Sequence, residues 1–368
     1  MMAVRCINYD WVEVFCVESC LHPLTREHWL QTGYSPKDLM YREYGTPQYN
    51  EVITLCAEGK KMIEVRRDPK SCHSKGGILP DRACHIRLTN RSCYLPDPVG
   101  YLISFLEKHH IQYVSTKRMD ICLDFNHFDR GDDPARFLMK YAQNKYAKMH
   151  QTRLHPHGND EWQCKRYNSI KWGSDMSQIN TKLYDKTLEL EQKTDKPWIR
   201  DAWKAAGLDT KKHVWRVEFS INSDLKNLVR EDDGSLLNIE IMQFRTREQV
   251  LNLFFMLADR YFDFRYVEKT GTGRFKRKDR CTKKVLFDVP RDCECYKPVK
   301  LDEREPSSRP LEQFVKRLKE IAMDENNPQR IRLDALDLID HVALPTRIGE
   351  KLWFQQMRDE IQMSIKII

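Results

Sequence analysis

Apolar and polar residues alternate with period two along several stretches of the chain, which is the mark of strands with one buried side. In 116–126, Met119, Ile121, Leu123 and Phe125 fall on one side and Arg118, Asp120, Cys122 and Asp124 on the other. In 214–221, Trp215, Val217, Phe219 and Ile221 oppose Arg216, Glu218 and Ser220. In 177–184, Ile179, Thr181 and Leu183 oppose Gln178, Asn180, Lys182 and Tyr184, with Lys186 continuing the polar side. Further strands are predicted at 8–18, 49–56, 61–66, 85–89 and 167–174. Gly59 marks a turn, and the short connection from 167–174 to the Tyr184 strand predicts an antiparallel pair.

Helical spacing predicts Pro98–Lys108 capped by Asp97, Pro134–Tyr146 capped by Asp133, and helices after Lys186 and after Pro197, the latter closed by Gly207. A long helix is predicted over Asn238–Arg260. Residues 147–166 read as a polar loop holding His150, His155 and His157. Proline cannot donate a backbone hydrogen bond, so Pro156 argues against a strand there. Residues 291–310, rich in Pro, Lys and Glu, read as a linker after a domain spanning 1–290. Beyond it, Leu311–Met323, Gln329–His341 and Arg347–Ile368 are amphipathic, so 311–368 is expected to be a small helical appendage.

Composition adds few constraints. The chain has 368 residues, 40% hydrophobic and 32% charged, enough for a sizeable core. No apolar run reaches the roughly 18 residues of a membrane span, and the start lacks a secretory apolar region. A cytoplasmic protein without membrane contact is expected. Its 12 cysteines form no CxxC pair, and Cys16, Cys20, His22 and His28 follow no standard zinc spacing. They are expected to be thiols.

Charge changes the picture more. The net charge is +8, which favours a polyanionic partner. Between Phe264 and Lys284 lie Arg265, Lys269, Arg274, Lys276, Arg277, Lys278, Arg280, Lys283 and Lys284, against only Glu268 and Asp279. Phe264, Tyr266 and Phe275 interleave with them. Cations for phosphates and flat rings for bases suit a nucleic-acid strand.

The polar sides of three strands supply candidate chemistry: Asp120 and Asp124, then Lys182, Tyr184 and Lys186, then Arg216 and Glu218. Carboxylates can hold Mg²⁺ or Mn²⁺, a hydroxyl can attack a phosphate, and cations can neutralise the developing charge. Lys182 and Lys186 beside Tyr184 are expected to ease ionisation of the phenol or bind the phosphate. Asp120 and Asp124 lie about 13–14 Å apart on one extended strand, too far to share an ion directly. No P-loop or dinucleotide fingerprint competes.

Arg118-Met119-Asp120-Ile121-Cys122-Leu123-Asp124, then Trp172-Gly173-Ser174 leading to Leu183-Tyr184-Asp185-Lys186, then Trp215-Arg216-Val217-Glu218, resemble the motif series of rolling-circle replication initiation factors of plasmids, phages and integrative elements, and of related conjugative relaxases. The resemblance covers roughly residues 8–290. It implies an α+β fold with a central antiparallel sheet, helices packed on one face. It also implies nicking of one strand of origin DNA, single-stranded or in a hairpin, by a tyrosine, leaving a 5′-phosphotyrosine and a free 3′-hydroxyl. By position, Tyr184 matches the tyrosine of the Tyr-Asp-Lys motif, with Tyr167 as a spare, and Asp120, Asp124 and Glu218 match the recurring acids. A host helicase and a homodimer are further implied partners. A relaxase with the same chemistry, and a catalytically silent DNA-binding regulator, are the alternative readings.

Overall fold

The computed structural model describes residues 4–70, 79, 82–150, 154–158, 167–173, 177–222, 228–230, 236–289, 297–298 and 309–342. In chain order the elements are β1 (Arg5–Val17), α1 (Arg26–Gln31), β2 (Leu39–Tyr41), β3 (Tyr49–Ala57), β4 (Lys60–Pro69), β5 (Ala83–Leu88), α2 (Pro98–Lys108) and β6 (Gln112–Phe125). Then come α3 (Pro134–Ala142), β7 (Tyr146–Lys148), β8 (Leu154–Gly158), β9 (Tyr167–Trp172), β10 (Ile179–Asp185), α4 (Lys186–Gln192), α5 (Pro197–Ala205) and β11 (Trp215–Asn222). The remainder is β12 (Leu228–Arg230), β13 (Leu236–Asn238), α6 (Arg247–Tyr261), β14 (Phe264–Tyr266), β15 (Lys283–Lys284), β16 (Lys297–Pro298), α7 (Arg309–Met323) and α8 (Gln329–Val342).

Ten strands form one antiparallel sheet in the order β2-β3-β4-β5-β1-β6-β11-β10-β9-β8, so the fold is α+β. The three strands singled out by their alternation, β6, β11 and β10, are consecutive neighbours. One face of the sheet is dry. Val12, Ile86, Met119, Ile121, Leu123, Val217 and Phe219 share a core with Trp29 of α1, Leu102 of α2, Phe137 of α3 and Phe254 of α6. Full burial of each such side chain stabilises the fold by about 1.5–3 kcal/mol. Asp97 caps α2 by accepting from Gly100 N at 2.7 Å, with Pro98 in the first turn, as the sequence predicts. Among the described residues no helix is long and apolar enough to cross a membrane.

Several boundaries differ from the sequence reading. The helix expected over Pro134–Tyr146 ends at Ala142, because Asn144 takes a left-handed φ of 57° and Tyr146–Lys148 pairs with β14 instead. The long helix expected from Asn238 starts only at Arg247. There Thr246 and Gln249 form a reciprocal capping box, with Thr246 Oγ1 accepting from Gln249 N at 3.2 Å and Gln249 Oε1 from Thr246 N at 3.0 Å. Within the expected 147–166 loop, His155-Pro156-His157 is part of a strand. It is β8, at the sheet edge, where a proline need not donate to a ladder.

The polar face is not wholly open. Ile199 and Trp203 of α5, with Leu190 of α4, pack on Cys6 and Val214 in a second apolar cluster. In the chain's last part α7 and α8 share a small core of Leu318, Ala322, Ala335, Leu336 and Ile339. Of the expected 291–310 linker, β16 and the start of α7 are described. The third expected helix, 347–368, lies outside the described residues.

Candidate active site

Backbone register sets the rows of the polar face. Tyr184 lies opposite Arg216 and Ser169, and Arg216 lies opposite Asp124. Lys182 lies opposite Glu218 and Lys171. The register of β8 extends the same rows, with His155 opposite Lys171 and His157 opposite Ser169. Period-two alternation fixes which side each residue takes. The pairing then turns separate motifs into one site.

Tyr184 is 9% exposed. Its hydroxyl donates to Glu218 Oε2 at 2.9 Å and accepts from Lys186 Nζ at 3.4 Å. Lys182 Nζ donates to the other oxygen, Glu218 Oε1, at 2.6 Å. Burial, and then the negative charge of Glu218, hold the Tyr184 phenol well above its ordinary range. The two lysines therefore do not ease ionisation as the sequence suggests, because Lys182 turns to Glu218 and Lys186 is shared with Glu189 at 2.5 Å. Burial works against the charge of Lys182, yet Glu218 holds its ammonium above the usual value. Asp185 leaves the phenol alone. It caps α4, accepting from Leu188 N at 3.0 Å, and pairs with His213 at 2.7 Å.

Arg216 is completely buried and spends four of its five N–H donors on the protein. Nε and Nη2 grip the two oxygens of Asp124 at 2.6 and 2.7 Å. Nη1 reaches Asp10 at 2.6 Å, and Nη2 also reaches the Tyr94 hydroxyl at 2.7 Å. Trp203 Nε1 donates to Asp124 Oδ2 at 2.6 Å. Burial opposes the charge of Asp10, but Arg216, followed by Lys186 and Lys196, holds its carboxyl far below the usual range. Sequence reading missed Asp10, Tyr94 and Trp203. A β-bulge between Tyr9 and Trp11 makes Asp10 an extra residue of β1 and carries it to Arg216. Bulges leave no mark in an apolar pattern.

Asp120 stands one row from Glu218, opposite Ser220. Arg118 donates to both its oxygens, at 2.9 and 2.5 Å. Burial raises the Asp120 carboxyl to about 6; Arg118 opposes the rise and the nearby charge of Glu218 adds to it. Each oxygen of these two acids is already engaged, Asp120 by Arg118 and Glu218 by Lys182 and Tyr184, so the pair would take a divalent cation only by releasing those half-exposed cations. Asp124 is more firmly committed, since both its oxygens are held by Arg216 and Trp203, which are themselves buried. No group of three or more His, Cys, Asp or Glu side chains is gathered for a metal among the described residues.

The basic stretch forms a separate hairpin. Phe264–Tyr266 pairs with Lys283–Lys284, Lys269 bridges Phe275, and Gly273 turns the tip with a φ of 81°. Residues 271–280 are all exposed. Arg265 is paired with Asp263, Lys276 with Glu268, Arg277 with Asp279, Lys283 with Asp259 and Lys284 with Asp132. Arg274, Lys278 and Arg280 have no ion pair among the described residues. Phe275, at the tip, is 68% exposed.

No protein-family model matches the chain. No curated protein matches it. Among solved structures, it is similar to the rolling circle replication initiator protein from Geobacillus stearothermophilus, with 13% identity, a TM-score of 0.46, and coverage of 76% of this chain and 92% of that one.

Proposed function

We propose that the chain nicks and rejoins one strand of DNA through Tyr184, as an initiator of rolling-circle replication or as a relaxase of the same chemistry. The observation that carries this reading is the contact between the Tyr184 phenol and Glu218, with an ammonium group on each side. A buried phenol needs a base, and Glu218 is in hydrogen-bond reach of its proton. In the proposed step Glu218 takes that proton. The phenolic oxygen attacks the scissile phosphorus as the bond from phosphorus to the 3′-oxygen breaks. The strand's 5′-phosphate is left on Tyr184, and the 3′-oxygen leaves as a hydroxyl with the proton returned from Glu218. Lys186 stabilises the charge that develops on the phenolic oxygen. Arg216 acts as a positioning residue, clamping β11 and β6 at the row beside Tyr184.

A bound Mg²⁺ or Mn²⁺ would polarise the scissile phosphate, and Asp120 and Glu218 are the residues that would hold it. The basic hairpin would grip flanking DNA. Arg274, Lys278 and Arg280 are its most available cations, and Phe275 offers a face to a base. Lys269 lies over the Phe275 ring, 5.1 Å from its centroid, and Arg265, Lys276, Arg277, Lys283 and Lys284 are tied to acids.

Incubation with Mn²⁺ and single strands from the replicon that encodes the chain tests the reading. A covalent adduct that survives SDS is expected from the wild type and none from Tyr184→Phe. An adduct on Tyr184→Phe removes Tyr184 from the role. The second reading, a silent DNA-binding regulator on the same sheet, is favoured by the burial of Tyr184 and by the Lys182 and Arg118 cations already seated on Glu218 and Asp120. It gains if the wild type forms no adduct with any such strand.

A further inference from the structure

The polar face continues past Asp120 toward β4. The bulge that delivers Asp10 to Arg216 also brings Trp11 onto this face, opposite Asp120. The Trp11 ring stands between two guanidiniums, Arg87 at 4.5 Å and Arg118 at 4.6 Å from its centroid. Arg87 comes from β5 and Arg118 from β6, the two neighbours of β1. Next along the sheet, Glu64 receives Arg87 at 2.6 Å, Arg66 at 2.8 Å and Arg42 at 3.7 Å. Three guanidiniums thus surround Glu64, with Arg66 shared at 3.2 Å with the buried Glu13, which also accepts from Trp11 Nε1 at 3.1 Å. Arg87 Nε is buried and has no acceptor among the described residues. The side chains of Arg87 and Arg118 remain 23% and 35% exposed, so the edges of the stack are open to solvent. The strip runs into the candidate active site, because Arg118 also holds Asp120. Trp11 is three strands across and four residues along from Tyr184, about 20 Å at the usual spacings.

We infer that this strip, with Trp11, Arg87 and Arg118 at its centre and Arg66 and Arg42 beside it, is a platform for the single strand that leads to Tyr184. The inference rests on the reading of Tyr184 as a nucleophile toward DNA. Planar cations stacked on an indole present flat edges and faces to unpaired bases. Four arginines, Arg42, Arg66, Arg87 and Arg118, stand against three acids, Glu13, Glu64 and Asp120, which leaves an excess of cationic donors for phosphates. A broad sheet face cannot enter the groove of a duplex in the way a helix or a two-stranded ribbon can, and bases show their faces only when unpaired. The occupant is therefore a single strand.

Binding of the full-length chain to a labelled oligo(dT), measured by fluorescence anisotropy in EDTA, separates this inference from nicking. Trp11→Ala and Arg87→Ala are each expected to weaken binding about tenfold, with duplex of the same length affected less than twofold. Arg87→Lys keeps the charge and loses the plane, and is expected to weaken oligo(dT) binding at least threefold. Melting curves show whether an alanine variant has failed to fold. For that case Trp11→Phe and Arg87→Lys carry the comparison, with Trp11→Phe falling between wild type and Arg87→Lys. The inference is overturned if the wild type does not bind oligo(dT), or if the folded variants bind it within twofold of wild type. A chain that binds through Trp11 and Arg87 but forms no adduct keeps the platform and loses the nicking reading. An adduct with unaltered variant affinities does the reverse.

Discussion

Asp124→Asn separates a structural acid from a metal ligand. The substitution keeps the shape of the side chain and removes its charge. Asp124 currently accepts three hydrogen bonds, from Arg216 Nε at 2.6 Å, Arg216 Nη2 at 2.7 Å and Trp203 Nε1 at 2.6 Å. An asparagine can present its oxygen to only one side of this arrangement. If the oxygen faces Nη2 and Trp203, the new NH₂ group points at Arg216 Nε. In the other orientation it points at both remaining donors. Either way at least one buried donor loses its acceptor. Arg216, fully buried, keeps only Asp10 as a charged partner. Removing one member of a buried pair costs about 3–5 kcal/mol. The retained Asp10 contact places the expected loss at about 3 kcal/mol, roughly a hundredfold in the folding constant. Urea unfolding followed by tryptophan fluorescence measures it, with an unchanged slope confirming that the same surface unfolds. A loss below about 1 kcal/mol would refute the argument that Asp124 is committed to Arg216. A stable Asp124→Asn chain whose adduct formation needs far more Mn²⁺ would return Asp124 to the metal.

Other consequences follow from the same geometry. The Asp120 carboxyl lies above its unfolded value, at about 6. Its contribution therefore favours the fold below the unfolded pKa and is lost as pH rises through about 6, so Asp120→Asn is expected to gain stability relative to wild type between pH 4 and pH 7. Paired melts at the two pH values check this, and no change in the difference would remove the strain assigned to the two acids. Replacing Arg274, Lys278 and Arg280 together by alanine is expected to flatten the log–log salt dependence of DNA binding by about 2–3. An unchanged slope would clear the hairpin of phosphate contact. Gly173 follows β9 with a φ of 91°, where an added Cβ would lie 3.3 Å from that of Asn180. Gly173→Ala is expected to cost about 1–2 kcal/mol, read from the denaturation midpoint.

Sequence alone determined the faces. Side-chain period in a strand is a local property, so Asp120, Glu218, Lys182 and Tyr184 could be assigned to polar sides before any pairing was known. Helix starts with a capping side chain and a proline, such as Asp97-Pro98, were equally local. The tertiary structure decided what those faces meet. Register joined Tyr184 to Glu218 and gave Asp124 to Arg216, although Asp124 and Asp120 are equivalent in their strand pattern. Only the sheet edge made a strand of His155-Pro156-His157, because the ladder does not require a donor there. Only the bulge in β1 brought Asp10 and Trp11 to the polar face, since one extra residue reverses parity without altering the composition around it. Burial was invisible as well. The lysines beside Tyr184 suggest an acidic phenol by proximity. Exclusion of water and a facing glutamate, both products of packing, hold its proton in place.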